Sequence, residues 1–508
     1  MTDELPPGWS RAPLADVGTW GSGGTPSRSD AKAYGGDIPW LKIGDLPDGP
    51  VVSAEERITK HGLAVSAAKL LPPETLLVAM YGSIGKLGIT TEPCATNQAI
   101  AFCKPHAGFN LNYLFYLLMG QRHRLLEQGQ GGTQLNISQT ILKAHEVSIA
   151  PSAEQKRIVS KLDELFSRID EGERALERVS MLVERYRQSV LKAAVTGELT
   201  RAWREKNKDT LESGEALLAR ILKARREAWE KAELGKLKAK GITRANDSWK
   251  KKYQEPASPD TTDLPALPTG WVWASLDMLA DVVGGITVDQ KRSIEECESV
   301  PYLRVANVQR GYLDLSEVKW IGAPRERIEQ IRLQPGDILF NEGGDIDKLG
   351  RGWIWEGQLP NCIHQNHVFR ARLFVAYALN KIISWYGNVL GRTLFMRLGK
   401  QTTNLASLSL TKLKSFPVPV MCPREADEIV SRVDDILSIT DHQASVIERQ
   451  MRGSSSLRQG VLKAAFSGRL VNQDPAYEPA STLLERIVPE PGTDNPAPKR
   501  GRKKKAAA

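Results

Sequence analysis

The chain spells out one long pattern twice. Leu5, Pro6, Gly8 and Trp9 return as Leu267, Pro268, Gly270 and Trp271, and Arg187 to Thr200 returns as Arg458 to Val471 with nine of fourteen residues identical. Between these marks the offset holds and then shifts. Pro39, Leu41, Leu71, Pro73, Leu77 and Lys86 match Pro301, Leu303, Leu333, Pro335, Leu339 and Lys348 at a spacing of 262, Asn136 matches Asn404 at 268, and Ile158 matches Ile429 at 271. An ordered series of this kind is a duplication with insertions. Its period is far longer than the roughly 20–50 residues of solenoid units, so the repeated object is a domain. Such a chain can fold as two similar units with an approximate two-fold relation inside one polypeptide.

With 508 residues and 41% hydrophobic content the chain has material for more than one core. Its longest apolar stretches, such as Leu373 to Leu379, fall far short of the roughly 20 residues a membrane helix needs. The opening MTDELPPGWS has no charged-then-apolar leader. Five cysteines without CxxC spacing suit reduced thiols, so a cytoplasmic protein is expected. The net charge of +9 is concentrated, with sixteen Lys and Arg against eight Asp and Glu between Arg201 and Gln254, and six against one between Pro491 and Ala508. Because this excess sits in a connecting segment and a tail, bulk charge alone does not locate a polyanion surface.

Each copy begins with about 150 residues of mixed character and ends in a long helix. Short apolar runs such as Ile38 to Ile43, Leu76 to Met80, Ile338 to Phe340 and Val368 to Leu373 read as strands, and Leu111 to Gln128 and Phe374 to Val389 as helices. The class expected is α+β: two tandem domains joined by two long helices that form an antiparallel coiled coil. Ser152 with Gln155 three residues on has the capping-box pattern at the start of the first long helix. Its apolar seam runs Ile158, Leu162, Leu165, Ile169, Leu176, Val179, Val183, Tyr186 and Val190, in steps of four and three. The matching seam, Ile429, Val433, Ile436, Ile447, Leu457 and Val461, is apolar at its ends and polar between. The boundaries expected are 1–151 and 265–422 for the two mixed domains, 152–199 and 423–471 for the helical regions, 200–264 for a basic linker and 472–508 for a disordered basic tail.

Signs of catalysis are missing. Gly82 to Leu87 imitates a phosphate loop, but Met80 stands where its first glycine belongs and Leu87 where the Mg-binding hydroxyl belongs. No dinucleotide-binding glycine pattern, Asn-Pro-Pro-aromatic tetrad or nuclease carboxylate set occurs. Cys362, His364 and His367 are three candidate zinc ligands without a fourth, so no metal is expected.

The LPxGW openings, Ser22 to Pro26 (SGGTP), Ile38 to Leu46 (IPWLKIGDL), Gly132 to Ser138 (GTQLNIS), Ala153 to Leu165 (AEQKRIVSKLDEL) and the VLKAA blocks at Val190 and Val461 together resemble the specificity subunits of Type I restriction-modification enzymes. The resemblance runs through nearly the whole chain, in order and twice. It implies a non-catalytic DNA-binding protein with two target recognition domains, each reading one half of a split double-stranded DNA site. It also implies two methyltransferase subunits and the translocase-nuclease subunits as partners, with S-adenosylmethionine, ATP and Mg on those partners and no cofactor in this chain. A rod of about 50 Å would bridge on the order of fifteen base pairs, so the helices would act as a ruler between half-sites. A self-contained nuclease or methyltransferase with an unfamiliar site, or a coiled-coil scaffold unrelated to DNA, stand as the alternatives.

Polar and cationic loop residues beside glycines are the candidate base and phosphate contacts. In the first domain these are Ser22, Gly23, Gly24, Thr25, Lys42, Tyr81, Gly82, Ser83, Lys86, Asn97, Gln98, Thr133, Gln134 and Asn136. In the second they are Arg304, Asn307, Asn341, Glu342, Asp345, Lys348, Arg351, Gln365, Asn366, His367, Lys400, Gln401, Thr402, Thr403 and Asn404. There Gly284 to Gln290 replaces the SGGTP loop, which breaks the residue-by-residue match.

Overall fold

The computed structural model describes residues 5–130, 135–239, 247–287, 297–344, 349–398, 400–401 and 406–487. The chain divides into two compact units, Met1–Glu177 with Glu448–Ala508, and Arg178–Ile447. The first is therefore assembled from both ends of the sequence.

In the first unit a five-stranded sheet runs in the order Gly18–Ser22, Ile100–Pro105, Leu76–Ala79, Leu87–Thr90, Gly49–Val51. Beside it lies a three-stranded sheet of Glu56–Ile58, Tyr34–Leu41 and Ala95–Thr96, and Ser10–Pro13 pairs with Glu146–Ile149. All four residues of Leu76–Ala79 are buried, as a central strand covered on both faces requires. The helix Leu111–Glu127 packs Tyr113, Leu114, Leu117 and Leu118 into the same core.

The second unit repeats this plan. Ala280–Gly284, Val368–Leu373, Ile338–Asn341 and Gly352–Ile354 form the larger sheet, Lys319–Pro324, Cys297–Leu303 and Ile363–His364 the smaller, and Val272–Ser275 pairs with Pro417–Val420. Even the parallel pairing recurs, Trp40 opposite Ala95 in one unit and Tyr302 opposite Ile363 in the other. The α+β class is thus established, with two copies of one plan that differ, among the described residues, by the edge strand Gly49–Val51. The expected helix Phe374 to Val389 begins only at Leu379, because the Phe374 amide is still held by the Leu279 carbonyl (3.0 Å) and the chain leaves the sheet before it can coil.

Two helices, Ser152–Val195 and Pro423–Ala465, are the longest of the described elements. Within the first unit their segments run antiparallel: Arg157 donates to the Asn472 carbonyl (3.2 Å), and further along Arg458 pairs with Glu173 (2.8 Å) and Asp170. Within the second unit Arg187 pairs with Asp441 (2.6 Å) and Arg432 donates to the Leu199 carbonyl (3.0 Å), again antiparallel. Ile158, Leu162, Val190, Ile429, Val433 and Ile447 are buried, and Leu165, Ile169, Leu176, Val183, Ile436 and Val461 are half-buried. Three seam expectations fail. Val179, Tyr186 and Leu457 are 45%, 53% and 56% exposed, while Phe166 and Leu462, which the seam omitted, are buried. A straight helix drifts by about 20° per heptad against a strict 3.5 repeat, so a seam counted over many heptads walks off the packed face.

The capping box also fails. The Ser152 hydroxyl donates to the Gly108 carbonyl (2.9 Å), and the Gln155 amide bridges the Asn110 N–H (3.0 Å) and the Ala150 carbonyl (2.9 Å), so both side chains fasten the helix start to the domain. A stronger anchor sits beside them. Trp9 donates its indole N–H to the buried Glu154 carboxylate (3.1 Å), which also accepts from Gln473 (2.8 Å). In the second unit Trp271 donates to Glu425 (2.8 Å), whose other oxygen takes Arg204 (2.6 Å) and Thr200 (2.8 Å). The LPxGW tryptophan is therefore a clip between a domain's first strand and its helix.

The segment expected to be a linker is folded. Arg201–Asn207 and Gly214–Ala239 are helices, and Leu217 and Ile221 belong to the second unit's core. The expected tail is partly folded too: Ala480–Arg486 is a helix whose Leu483 is buried in the first unit, while residues 488–508 lie outside the described residues. These are one repeated block. Leu217, Leu218, Arg220 and Ile221 match Leu483, Leu484, Arg486 and Ile487, and each helix start donates to the glycine of its own LPxGW motif, Gly214 to Gly270 and Ala480 to Gly8, both at 2.8 Å.

Candidate nucleic-acid interface

Both units gather loops at one end of their sheets by the same backbone bonds. In the first, Gly24 donates to the Thr96 carbonyl (2.9 Å), Asn97 to Leu41 (3.0 Å), Met80 to Ala99 (2.8 Å) and Ile137 to Met80 (2.9 Å). In the second, Ile286 donates to His364 (3.0 Å), Gln365 to Leu303 (2.9 Å), Glu342 to His367 (2.9 Å) and Leu408 to Glu342 (2.7 Å). The changed glycine loop therefore keeps its frame. A Cβ on Gly23 would stand 2.0 Å from the Thr96 oxygen, and one on Gly285 would stand 1.9 Å from the His364 oxygen. Only glycine lets the two loops touch at either place.

On this frame the candidates separate into framework and exposed groups. In the first unit Gly23 and Gly24 are buried, so they set the loop and present no surface. Lys42 is held by Glu55 (2.5 Å) and Glu56 (3.0 Å), which raise its pKa, and so it is engaged in ion pairs rather than displayed as a free cation. Lys86 reaches toward the Ile43 and Gly44 carbonyls (both 3.5 Å), and Ser22 is half-buried. What remains open is Thr25, hydrogen-bonded to Gln98, together with Gln98 itself and Tyr81, Gly82 and Ser83. Asn136 bridges Tyr81, and the Asn97 side chain accepts from Ala99 (3.1 Å). Thr133 and Gln134 lie outside the described residues.

In the second unit two asparagines prove structural. Asn307 closes its own loop through the Asp314 and Glu317 carbonyls (both 2.9 Å), and Asn341 is buried, donating to Val308 (2.8 Å). Arg304 pairs with Glu317 (3.1 Å) and Arg351 donates to Gln309 (2.6 Å). Glu342 and His367 pair at 2.6 Å, where the first unit has the apolar Met80 and Ala99, and Asn366 adjoins His367 at 3.3 Å. Gln365 is half-buried beside them. Gly343–Gly344, Ala406–Ser407 and Lys400–Gln401 form a small sheet next to this pair, while Asp345, Lys348, Thr402, Thr403 and Asn404 lie outside the described residues.

The zinc candidates point apart. His364 is fully buried with Nδ1 on the Val368 carbonyl (2.6 Å), Cys362 is buried with its thiol pushed up to about 12, and His367 faces Glu342. Among the described residues no cluster could hold a metal ion, and no helix is long and apolar enough to cross a membrane.

Burial drives the His364 pKa down to about 4. The unfolded chain, near 6.5, then binds the proton more readily, so stability falls as pH drops through 6.5 toward 4, by on the order of 3 kcal/mol in total. The unfolding midpoint of the wild-type chain should therefore fall more between pH 7 and pH 5 than that of His364→Gln. Parallel pH profiles would show that His364 carries no such linkage.

The chain is thus one unit present twice, with matching loop clusters. Residues 6–178 match the family described as the Type I restriction modification DNA specificity domain. Along its whole length the chain is similar to the Type I restriction enzyme EcoKI specificity subunit of Escherichia coli K12 and the StySPI specificity subunit of Salmonella potsdam, each 23% identical over 96% of both chains. Among solved structures it resembles a chain from a study of assembly and conformational transition in the type I R-M system, with TM-score 0.62, 16% identity and coverage of 92% of this chain and 100% of that one. The HsdS subunit of Thermoanaerobacter tengcongensis superposes with TM-score 0.51, at 16% identity, covering 92% and 98%. Residues 6–178 thus carry the Type I restriction modification DNA specificity domain, and the chain is similar along nearly its whole length to Type I restriction enzyme specificity subunits.

Proposed function

We propose that the chain reads a bipartite double-stranded DNA target, one half-site per unit, and docks two methyltransferase subunits that methylate adenine there. With the translocase-nuclease subunit the same reading directs restriction. S-adenosylmethionine, ATP and Mg act on those partners. The observation that supports this is a repeated frame with unlike fillings: the same backbone bonds flank exposed Tyr81, Ser83 and Gln98 in one unit and the Glu342–His367 pair in the other. A shared frame with different donors and acceptors suits reading two different short sequences by direct contact to base edges.

Partner docking has support in the second unit's long helices, where Val179, Met181, Leu182, Tyr186, Ile439 and Val446 are exposed. Large apolar side chains on a polar helix surface mark an interaction face.

In a complex with its methyltransferase, the chain should confine methylation to one split, adenine-containing site. Tyr81→Ala with Ser83→Ala should weaken binding by about 1–3 kcal/mol per lost base contact and relax only one half of the target. Sequencing methylated adenines in plasmid DNA tests this. Equal methylation of unrelated sequences by the wild-type complex would refute the reading.

A further inference from the structure

The first unit carries a cleft that the DNA reading does not use. It encloses about 970 Å³ between the helix Leu111–Glu127, the strand pair Ser10–Pro13 and Glu146–Ile149, and the last turns of the second long helix. Arg11, His123, Arg124, Lys463 and Arg469 line it against the single acid Glu146. Leu5, Val147, Leu462 and Phe466 supply apolar wall. The buried Gln121 Oε1 has no hydrogen-bond partner among the described residues.

The cleft faces away from the reading loops. On the same helix Arg122 donates to the Gly85 carbonyl (2.8 Å), at the foot of the Tyr81–Ser83 loop, whereas Gly120 and Arg124 line the cleft. Residues two apart on a helix lie about 200° apart around it, so loop and cleft lie on opposite sides of this helix.

The charge is duplicated only in part: Lys463 and Arg124 keep cationic counterparts in Lys192 and Arg392, but three other positions do not. At the matching strand position Arg11 is replaced by Trp273, which packs on Tyr386 with ring centroids 6.0 Å apart. Arg469 is replaced by Glu198 and His123 by Gly391. A partner that binds both units alike would need both surfaces alike.

We propose that this cleft binds an acidic peptide segment of a partner protein that joins the chain in a single copy. Guanidinium groups pair with carboxylates bidentately, and the apolar wall would hold side chains between the charges. The cleft's volume lies at the upper end of the roughly 300–1,000 Å³ of small-molecule sites, which suits a segment of chain.

The test uses fluorescence anisotropy of the full-length chain with a labelled hexaglutamate peptide at low salt. The wild type should bind, Arg124→Glu with Lys463→Glu should weaken binding at least tenfold, and Lys192→Glu, at the other unit's counterpart of Lys463, should leave it unchanged. If the double reversal fails to fold, Arg124→Gln with Lys463→Gln should give the same ranking. Absence of peptide binding, or equal loss in Lys192→Glu, would overturn the proposal. So would equal loss of affinity for a mixed-sequence duplex in the Arg124/Lys463 variants, which would make the surface a DNA contact. Because target methylation is read separately, failure here leaves the two-domain reading intact.

Discussion

Glu425→Ala should destabilise the second unit by about 3–5 kcal/mol, the cost of leaving one charge of a buried pair uncompensated. Arg204 and Glu425 have side-chain exposures of 11% and 2%, so solvent screens the pair little. The same substitution orphans the Trp271 indole N–H and the Thr200 hydroxyl. Glu154→Ala should cost less, about 1–3 kcal/mol, because its hydrogen-bond donors, Trp9 and Gln473, are neutral. Burial also raises the Glu154 pKa, so removing it relieves a desolvation penalty. Urea unfolding followed by tryptophan fluorescence compares the two, and an equal or reversed ranking would show that the Arg204 pair is not the stronger clip.

Gly23→Ala should strike recognition of one half-site while sparing the other. The added Cβ would meet the Thr96 carbonyl oxygen at 2.0 Å, a backbone contact that no side-chain rotation relieves. Either the loop from Ser22 to Thr25 moves, or the unit loses stability on the order of 4 kcal/mol, the range reserved for a few severe mechanisms. Gly285→Ala should do the same to the other half-site, its Cβ falling 1.9 Å from His364 O. Methylation mapping of each variant complex reads the result directly. Loss of both half-sites in either variant, or of neither, would mean that these loops do not hold separate readers.

The duplication, the class and the long helices were legible because they rest on patterns that local chemistry enforces. Trp9 and Trp271 recur because each clips a carboxylate, and Leu76–Ala79 reads as a strand because both its faces are covered. The seam was legible at its ends, where Ile158, Ile429 and Val433 enter a core, and illegible near Val179, Tyr186 and Leu457, where nothing in the sequence tells exposed apolar residues from packed ones. Among the loop candidates, residue type could not tell Asn307 and Asn341, whose amides close loops, from Gln98, which stands open. The basic composition of residues 200–264 masks the LLxRI spacing shared by Leu217 to Ile221 and Leu483 to Ile487. That shared spacing is the sequence signal of the two folded segments.

The hydrogen bond from Ala480 to Gly8 has a temporal meaning. A ribosome releases Arg178–Ile447 as one unbroken stretch, while the unit that contains the first residues must wait for the last. Domains made in order normally fold from the N-terminus onward; here the first unit is completed by residues made after the second. A chain cut short after Ile447 would keep the complete second unit and lack the helical segment and clip residue Gln473 that finish the first. Synthesis itself thus leaves the first unit unfinished until residues well beyond Ile447 have been made.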